Sequence, residues 1–332
     1  MNEPASGSVS PRLREAPTEL RRENSGANPV LRVGTRGSAL ATTQAQTVAD
    51  AVAGSTGARV ELVPITTHGD VSRAALTSIG GTGVFVTAVR EALLAGEVDV
   101  VVHSFKDLPT APAEGIALAA VPVREEPADA LCARDGLDLD SLPPGATVGT
   151  GSPRRVAQIL AYRTDLTVVP IRGNVDSRLS QVRDGRLDAV VLAAAGLRRL
   201  GLQEAITALL PDEIMLPAPA QGALAVECRL ADQQSSWFAS ALAELDDPAA
   251  RAEATAERSL LSTLEAGCSA PVGARARARA DELSLAGLVI APDGRLQFRG
   301  ELSGGTADAA QLGRQLAESL LADGAAQVLR GP

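Results

Sequence analysis

Short runs of branched residues, each closing on a polar or glycine turn that opens a helix, recur along this chain. Leu31 to Arg36 reads as a strand, Gly37-Ser38 as the turn, and Ala39 to Ala53 as a helix with Ser38 at its N-cap. Arg59 to Thr66 is a second strand, Val86 to Ala95 a helix, and Val98 to Val102 a fully buried strand stopped by Pro109. The pattern then repeats. Ala146 to Thr150, Leu166 to Ile171 and Asp188 to Leu192 read as strands. They alternate with helices over Pro153 to Tyr162, around Arg178, and over Ala193 to Leu200. Such alternation predicts parallel sheets covered by helices, and its repetition predicts two similar α/β lobes with doubly wound sheets.

Pro217 to Gly222 breaks the rhythm, and the strand Ala223 to Glu227 is expected to return to the first lobe. Helices near Ser235 to Leu245 and Ala249 to Leu264 follow, then strands near Leu283 to Ile290 and Leu296 to Leu302, then a helix to Leu321. That tail reads as a small α+β domain. The expected layout is a disordered extension over 1–29, a first lobe from 30–122 with 222–244, a second lobe over 123–221 and a C-terminal domain over 245–332. The extension is polar and has no apolar core, so it is not expected to act as a signal peptide.

Composition narrows the function. A net charge of −9 argues against nucleic acid as the main partner, and an aromatic content of 2% argues against base stacking. No apolar run is long enough for a membrane span. Cys132, Cys228 and Cys268 show no metal-ligand spacing and cannot all pair, which points to a reducing cytoplasm.

Two constellations invite chemistry. His103-Ser104-Phe105-Lys106-Asp107 lies at the carboxyl end of a buried strand, where α/β sheets gather ligands, and Lys106 is the only lysine in the chain. Arg36, Arg154, Arg155, Arg172, Arg178 and Arg199 each fall just after a predicted strand or in the first turns of the next helix. Gathered in one crevice, they would repel one another unless a polyanion neutralised them, and guanidinium forks suit carboxylates. Cys268, between Gly267 and Ser269-Ala270-Pro271, sits in a loop where a thiol is exposed enough to react. Cys132 and Cys228 read as ordinary buried cysteines. The glycine-rich stretch Ile79 to Phe85 matches no phosphate-binding motif and reads as a flexible loop.

These pieces, in this order, resemble the hydroxymethylbilane synthases, also called porphobilinogen deaminases. The matching motifs are Gly34 to Ser38, Val102 to Pro109, Gly149 to Arg155, Ile171 to Val175, Ala195 to Gly201, Pro217 to Gly222 and Glu265 to Cys268. The resemblance implies two lobes like periplasmic binding proteins and a small domain bearing a cofactor. It implies head-to-tail condensation of four porphobilinogen molecules into hydroxymethylbilane, with release of ammonia. It implies a dipyrromethane cofactor thioether-linked to Cys268, and no metal. Asp107 is the expected catalytic residue: it would stabilise the cationic azafulvene left when ammonia departs and assist proton transfer. Lys106, Ser104, Thr150, Ser152, Arg154, Arg155 and Arg178 are expected to hold the cofactor. Arg36, Ser38, Gln44, Arg172, Arg178, Arg199 and Gln221 are expected to hold substrate. A monomer passing its product to the next enzyme of the pathway is implied too.

Some positions depart from the family pattern. Thr82 stands where lysine is common, His68 where arginine is usual, Ala220 where glycine often precedes Gln-Gly, and Gly151 where serine is common. A bilobal module that only binds a small polyanion shares the lobes and arginines, but it gives no role to Asp107 or Cys268.

Overall fold

The computed structural model describes residues 29–65, 83–266 and 270–329. The extension through residue 28, Thr66, His68, the glycine-rich stretch through Thr82, and Cys268 lie outside the described residues.

Three sheets organise the chain. The first contains β1 (Val30–Arg36), β2 (Arg59–Ile65), β3 (Val100–Ser104), β4 (Ile116–Ala120) and β10 (Leu224–Arg229), in the order β2-β1-β3-β10-β4. Helix α1 (Ala39–Thr56) covers one face and α2 (Gly83–Leu94) the other. Ser38 caps α1 as its position predicts, its hydroxyl accepting from the Ala41 N–H. β1 runs parallel to β2 and β3, which a buried α/β sheet requires. β10 runs antiparallel to β3 and β4.

The second sheet repeats this plan. It contains β5 (Asp129–Ala133), β6 (Thr147–Thr150), β7 (Thr167–Pro170), β8 (Ala189–Ala193) and β9 (Ala208–Leu210), ordered β7-β6-β8-β5-β9. Helices α3 (Pro153–Tyr162), α4 (Val175–Arg183) and α5 (Ala194–Arg199) connect or flank these strands. β6 is parallel to β7 and β8, while β5 is antiparallel to β8 and β9.

The expectation of wholly parallel sheets is therefore corrected: each sheet has one antiparallel strand at the fourth position of its order. The cause is topological. β5 is the first strand after the chain leaves the first sheet, and β10 is the first after it leaves the second. Each enters its new sheet from the end opposite to the βαβ strands. The chain crosses between the sheets twice, over residues 121–128 and 211–223, and the site described below lies at these crossings.

The third sheet is antiparallel, β11 (Val272–Arg279), β12 (Glu282–Ile290) and β13 (Gln297–Gly305), in chain order. It packs on α7 (Pro248–Thr263) and α8 (Ala309–Ala322) around Leu260, Leu285 and Leu316. A short α6 (Ala239–Leu245) packs on the first sheet, and α9 (Ala326–Leu329) ends the described chain. Sequence reading missed β4, β5, β9 and β11. β11 alternates Ala with Arg, and alanine carries no strand preference. What holds β11 is burial of Ala274 and Ala276 beneath α7.

Candidate functional site

β3 ends at Ser104 and passes directly into a single 3-10 turn, Phe105–Asp107, with Leu108 extended beyond it. Phe105 is buried; Asp107 is exposed. The turn is held from the third domain. Arg258 of α7 donates to the carbonyls of Phe105 (3.2 Å), Leu108 (2.9 Å) and Pro109 (2.6 Å), and its guanidinium lies 4.4 Å above the Phe105 ring. These contacts fix the backbone that carries Lys106 and Asp107, and the stacked cation adds to them.

Asp107 faces a cleft shared with Arg36, Ser38, Gln44, His103 and Ser104. Gln44 of α1 and Ser104 hydrogen-bond to each other: Gln44 Nε2 donates to Ser104 Oγ at 3.0 Å, and Ser104 Oγ donates to Gln44 Oε1 at 3.1 Å. Beneath the cleft, Arg90 of α2 grips Glu227 of β10 through Nε (2.9 Å) and Nη2 (2.6 Å). His103 Nε2 lies 3.4 Å from the same carboxylate. Burial would raise the Glu227 pKa, but the hydrogen bonds from Arg90, with His103 close by, prevail and hold it near 2.

On the other side of the turn, a buried network crosses between the lobes. Asp129, the first residue of β5, is fully buried. Its Oδ1 accepts from Arg155 Nη2 (2.7 Å) and Nε (3.0 Å) and from Gln221 Nε2 (2.8 Å). Its Oδ2 pairs with Arg154 Nη1 at 2.7 Å. Gln221 Nε2 also donates to the Pro127 carbonyl (2.8 Å), and its Oε1 accepts from Lys106 Nζ at 3.1 Å. Burial opposes the Asp129 charge, but Arg154 and Arg155 keep its pKa well below the usual carboxylate range. Lys106 is lowered to about 8, first by burial and then by Arg155 and Arg154, with Asp107 and Asp129 opposing.

The expected site residues divide accordingly. Lys106, Arg154, Arg155 and Gln221 come together around Asp129. Both ends of the Gln221 amide are taken by protein groups. Arg36, Ser38, Gln44, Ser104 and Asp107 line the cleft. Thr150 is buried and its Oγ accepts from the Ser152 N–H at 3.3 Å, while the Ser152 hydroxyl makes no capping bond at the start of α3. Arg178 donates to the Gly173 carbonyl at 2.9 Å; burial and the nearby Arg155 lower its pKa. Arg199 Nη2 donates to the Gly222 carbonyl at 2.6 Å, at the second crossing between the sheets. Arg172 is exposed. Arg154 and Arg155 are thus already paired by a protein carboxylate, which the sequence reading did not anticipate. Cys132 and Cys228 are buried, and burial raises their thiols to about 12 and about 11, so neither is a nucleophile at neutral pH.

The donors present suit a carboxylate-bearing group. Three cations, Lys106, Arg154 and Arg155, share one buried carboxylate. Arg154 Nε is buried without a hydrogen-bond partner, and Ser152 Oγ stands at a helix N-terminus. Among the described residues no cluster of His, Cys, Asp or Glu could hold a metal ion, and no helix is long and apolar enough to cross a membrane.

Sequence reasoning missed Asp129, Arg258 and the Arg90–Glu227 pair. Ala220 has a backbone φ of +61°, in the left-handed region that favours glycine, which accounts for the glycine common there and leaves the alanine of this chain without a structural explanation.

The family described as porphobilinogen deaminase, dipyrromethane cofactor binding domain, matches residues 31–236, and its C-terminal domain matches 251–322. The chain is 55% identical to the porphobilinogen deaminase of Thermobifida fusca, covering 90% of this chain and 95% of that protein. It is 56% identical to porphobilinogen deaminase 1 of Streptomyces avermitilis, covering 90% and 97%. Among solved structures it is similar to an ABC transporter periplasmic substrate-binding protein from Coxiella burnetii, at 15% identity and a TM-score of 0.42, covering 67% of this chain and 94% of that one. With both family domains matched in order along the chain, this protein belongs to the porphobilinogen deaminase family.

Proposed function

We propose that this enzyme, a transferase of tetrapyrrole biosynthesis, joins four porphobilinogen molecules head to tail, releasing one ammonia at each condensation, after which water cleaves the finished chain from the cofactor and supplies the hydroxyl of hydroxymethylbilane. The dipyrromethane carried on Cys268, when bound, supplies the pyrrole carbon from which the chain grows. Each porphobilinogen brings two carboxylates, so a growing chain is a polyanion. The surplus of cationic donors around Asp129, immediately behind the Asp107 turn, is the observation that carries the reading.

The roles follow from position. Lys106, Arg154 and Arg155 bind the carboxylates of the cofactor, with Ser152, Thr150, Ser104 and Arg178 beside them. Arg36, Ser38 and Gln44 bind the incoming substrate in the cleft, with Arg172 and Arg199 farther along. Asp107 faces the substrate as its C–N bond breaks and its carboxylate stabilises the cation that forms. It then accepts or relays the proton released from the coupled ring carbon. Gln221 works through Lys106 rather than on substrate. The enzyme acts as a monomer. The buried free thiols of Cys132 and Cys228 support a reducing, cytoplasmic setting. The linear product then passes to the next enzyme of the pathway.

The intact mass of the purified protein tests this. The expected result is an added mass of two pyrrole units that maps to Cys268 and is missing in Cys268→Ala, together with ammonia release from porphobilinogen. An unmodified, inactive chain that still binds porphobilinogen would replace the enzyme with a binding module.

A further inference from the structure

Three of the cations assigned to carboxylate binding come from two separate sheets, yet all lead to one residue. Arg154 and Arg155 reach Asp129 directly from the first turn of α3. Lys106 reaches it from the end of β3 through the Gln221 amide, with 3.1 Å and 2.8 Å on either side. Asp129 is fully buried, and Arg154 and Arg155 are nearly so. It therefore meets no bulk solvent and is not itself aimed at a ligand. From these contacts, and given the function proposed above, we infer that Asp129 is the positioning residue of the anion clamp. It sets the directions of Arg154 and Arg155 and, through Gln221, of Lys106.

The physics is charge balance in a dry setting. Two buried guanidinium groups and a half-buried ammonium repel one another, and one carboxylate at their centre offsets only part of that repulsion. Their remaining positive charge is then directed outward, where carboxylates of a ligand complete it. Asp129→Asn keeps the shape but leaves three cations with no central anion. The arginines then separate, and Gln221 loses the acceptor that orients its amide toward Lys106.

Because Lys106 is the only lysine in the chain, isotope-labelled lysine gives one side-chain signal. That signal can be titrated by NMR in the full-length protein as isolated. The charged groups that set its midpoint are Asp107, Asp129, Arg154 and Arg155. Removing the Asp129 charge takes away an anion that favours the ammonium, so the midpoint in Asp129→Asn is expected to fall by roughly one unit. The share of purified protein carrying the two-pyrrole adduct is expected to fall below that of the unsubstituted chain. Gln221→Leu, which leaves the Asp129 ion pairs in place, is expected to lower the Lys106 midpoint too.

A role confined to folding would lower Tm but leave the Lys106 midpoint and the adduct unchanged in folded protein, and that result overturns the inference. If Asp129→Asn does not fold, an unmoved midpoint in Gln221→Leu overturns it instead. Absence of any adduct in the unsubstituted chain would count against the proposed function, while the Lys106 titration would still judge Asp129.

Discussion

At Asp107 the protein presents a carboxylate to solvent while fixing the backbone beneath it. The turn is clamped by Arg258 and by burial of Phe105, which places the carboxylate, and among the described residues no ion pair neutralises it. Asp107→Asn keeps the hydrogen-bonding shape and removes the charge. Turnover is expected to fall on the order of a hundredfold or more, the scale of losing one preorganised electrostatic contact. The adduct should persist, so intact mass and ammonia release measured on the same sample separate loading from chemistry; near-normal ammonia release would refute the role. Lys106 makes a second prediction. Its pKa is lowered to about 8, so the ammonium that binds carboxylates is present below that pH and lost above it. Bound carboxylates raise the value again. The pH profile of kcat/KM should therefore fall on its alkaline side at or above about pH 8, and Lys106→Arg, charged throughout this range, should remove that limb. Survival of the limb in Lys106→Arg would assign it to another group. Lys106 was legible in the sequence because it is a lone lysine at the mouth of a branched strand. Asp129 was not, because Asp-Ala-Leu-Cys-Ala gives no sign that its partners lie 25, 26 and 92 residues away.

At the scale of elements, the strand-turn-helix units read correctly because hydrophobic runs, caps and glycines act over a few residues. Strand direction did not: β10 returns to the first sheet as expected but runs antiparallel, as the missed β5 does in the second, since direction in a sheet depends on which end the chain enters, a property of the whole path. Gly151 shows how close these turns are. A Cβ built there would lie 2.7 Å from the Ile171 carbonyl oxygen, a backbone atom that cannot step aside cheaply. The turn from β6 to α3 runs against the end of β7, where the Ile171 N–H bonds the Thr150 carbonyl at 3.3 Å. Gly151→Ser, which restores the residue common in the family, is expected to destabilise this chain by about 1–3 kcal/mol through overpacking, read as a lower Tm. Because the same turn carries Ser152, Arg154 and Arg155, loading with the cofactor should weaken in parallel. A Tm equal to that of the unsubstituted protein would mean that the Ile171 carbonyl moves freely.

Across the whole molecule, one buried carboxylate ties the chain crossings to the third domain. Glu257 of α7 accepts from both Nη atoms of Arg124 at 2.8 Å, from the Ala220 N–H at 2.6 Å and from the Ala276 N–H at 2.7 Å. Arg124 and Ala220 belong to the two crossings between the lobes, and Ala276 to β11, so the helix, the third sheet and both connections meet at a single side chain. Arg124 also donates to the Gln221 carbonyl at 2.9 Å, which places this junction directly behind the Lys106–Gln221–Asp129 network. Glu257→Gln leaves Arg124 buried with only Glu253, at 3.1 Å, to balance it, and turns one accepting oxygen into a donor facing a donor. Breaking a buried pair in this way costs on the order of 3–5 kcal/mol. The exposed pair Arg186–Asp184, with both side chains more than half exposed, is the comparison: Asp184→Asn should change stability by no more than about 1 kcal/mol. In thermal unfolding Glu257→Gln should therefore lower Tm by many degrees and split the transition, the third domain melting apart from the lobes, whereas Asp184→Asn should keep one transition near the original Tm. Equal, small effects from the two substitutions would mean that the third domain is held to the lobes by its apolar contacts and not by the Arg124–Glu257 junction.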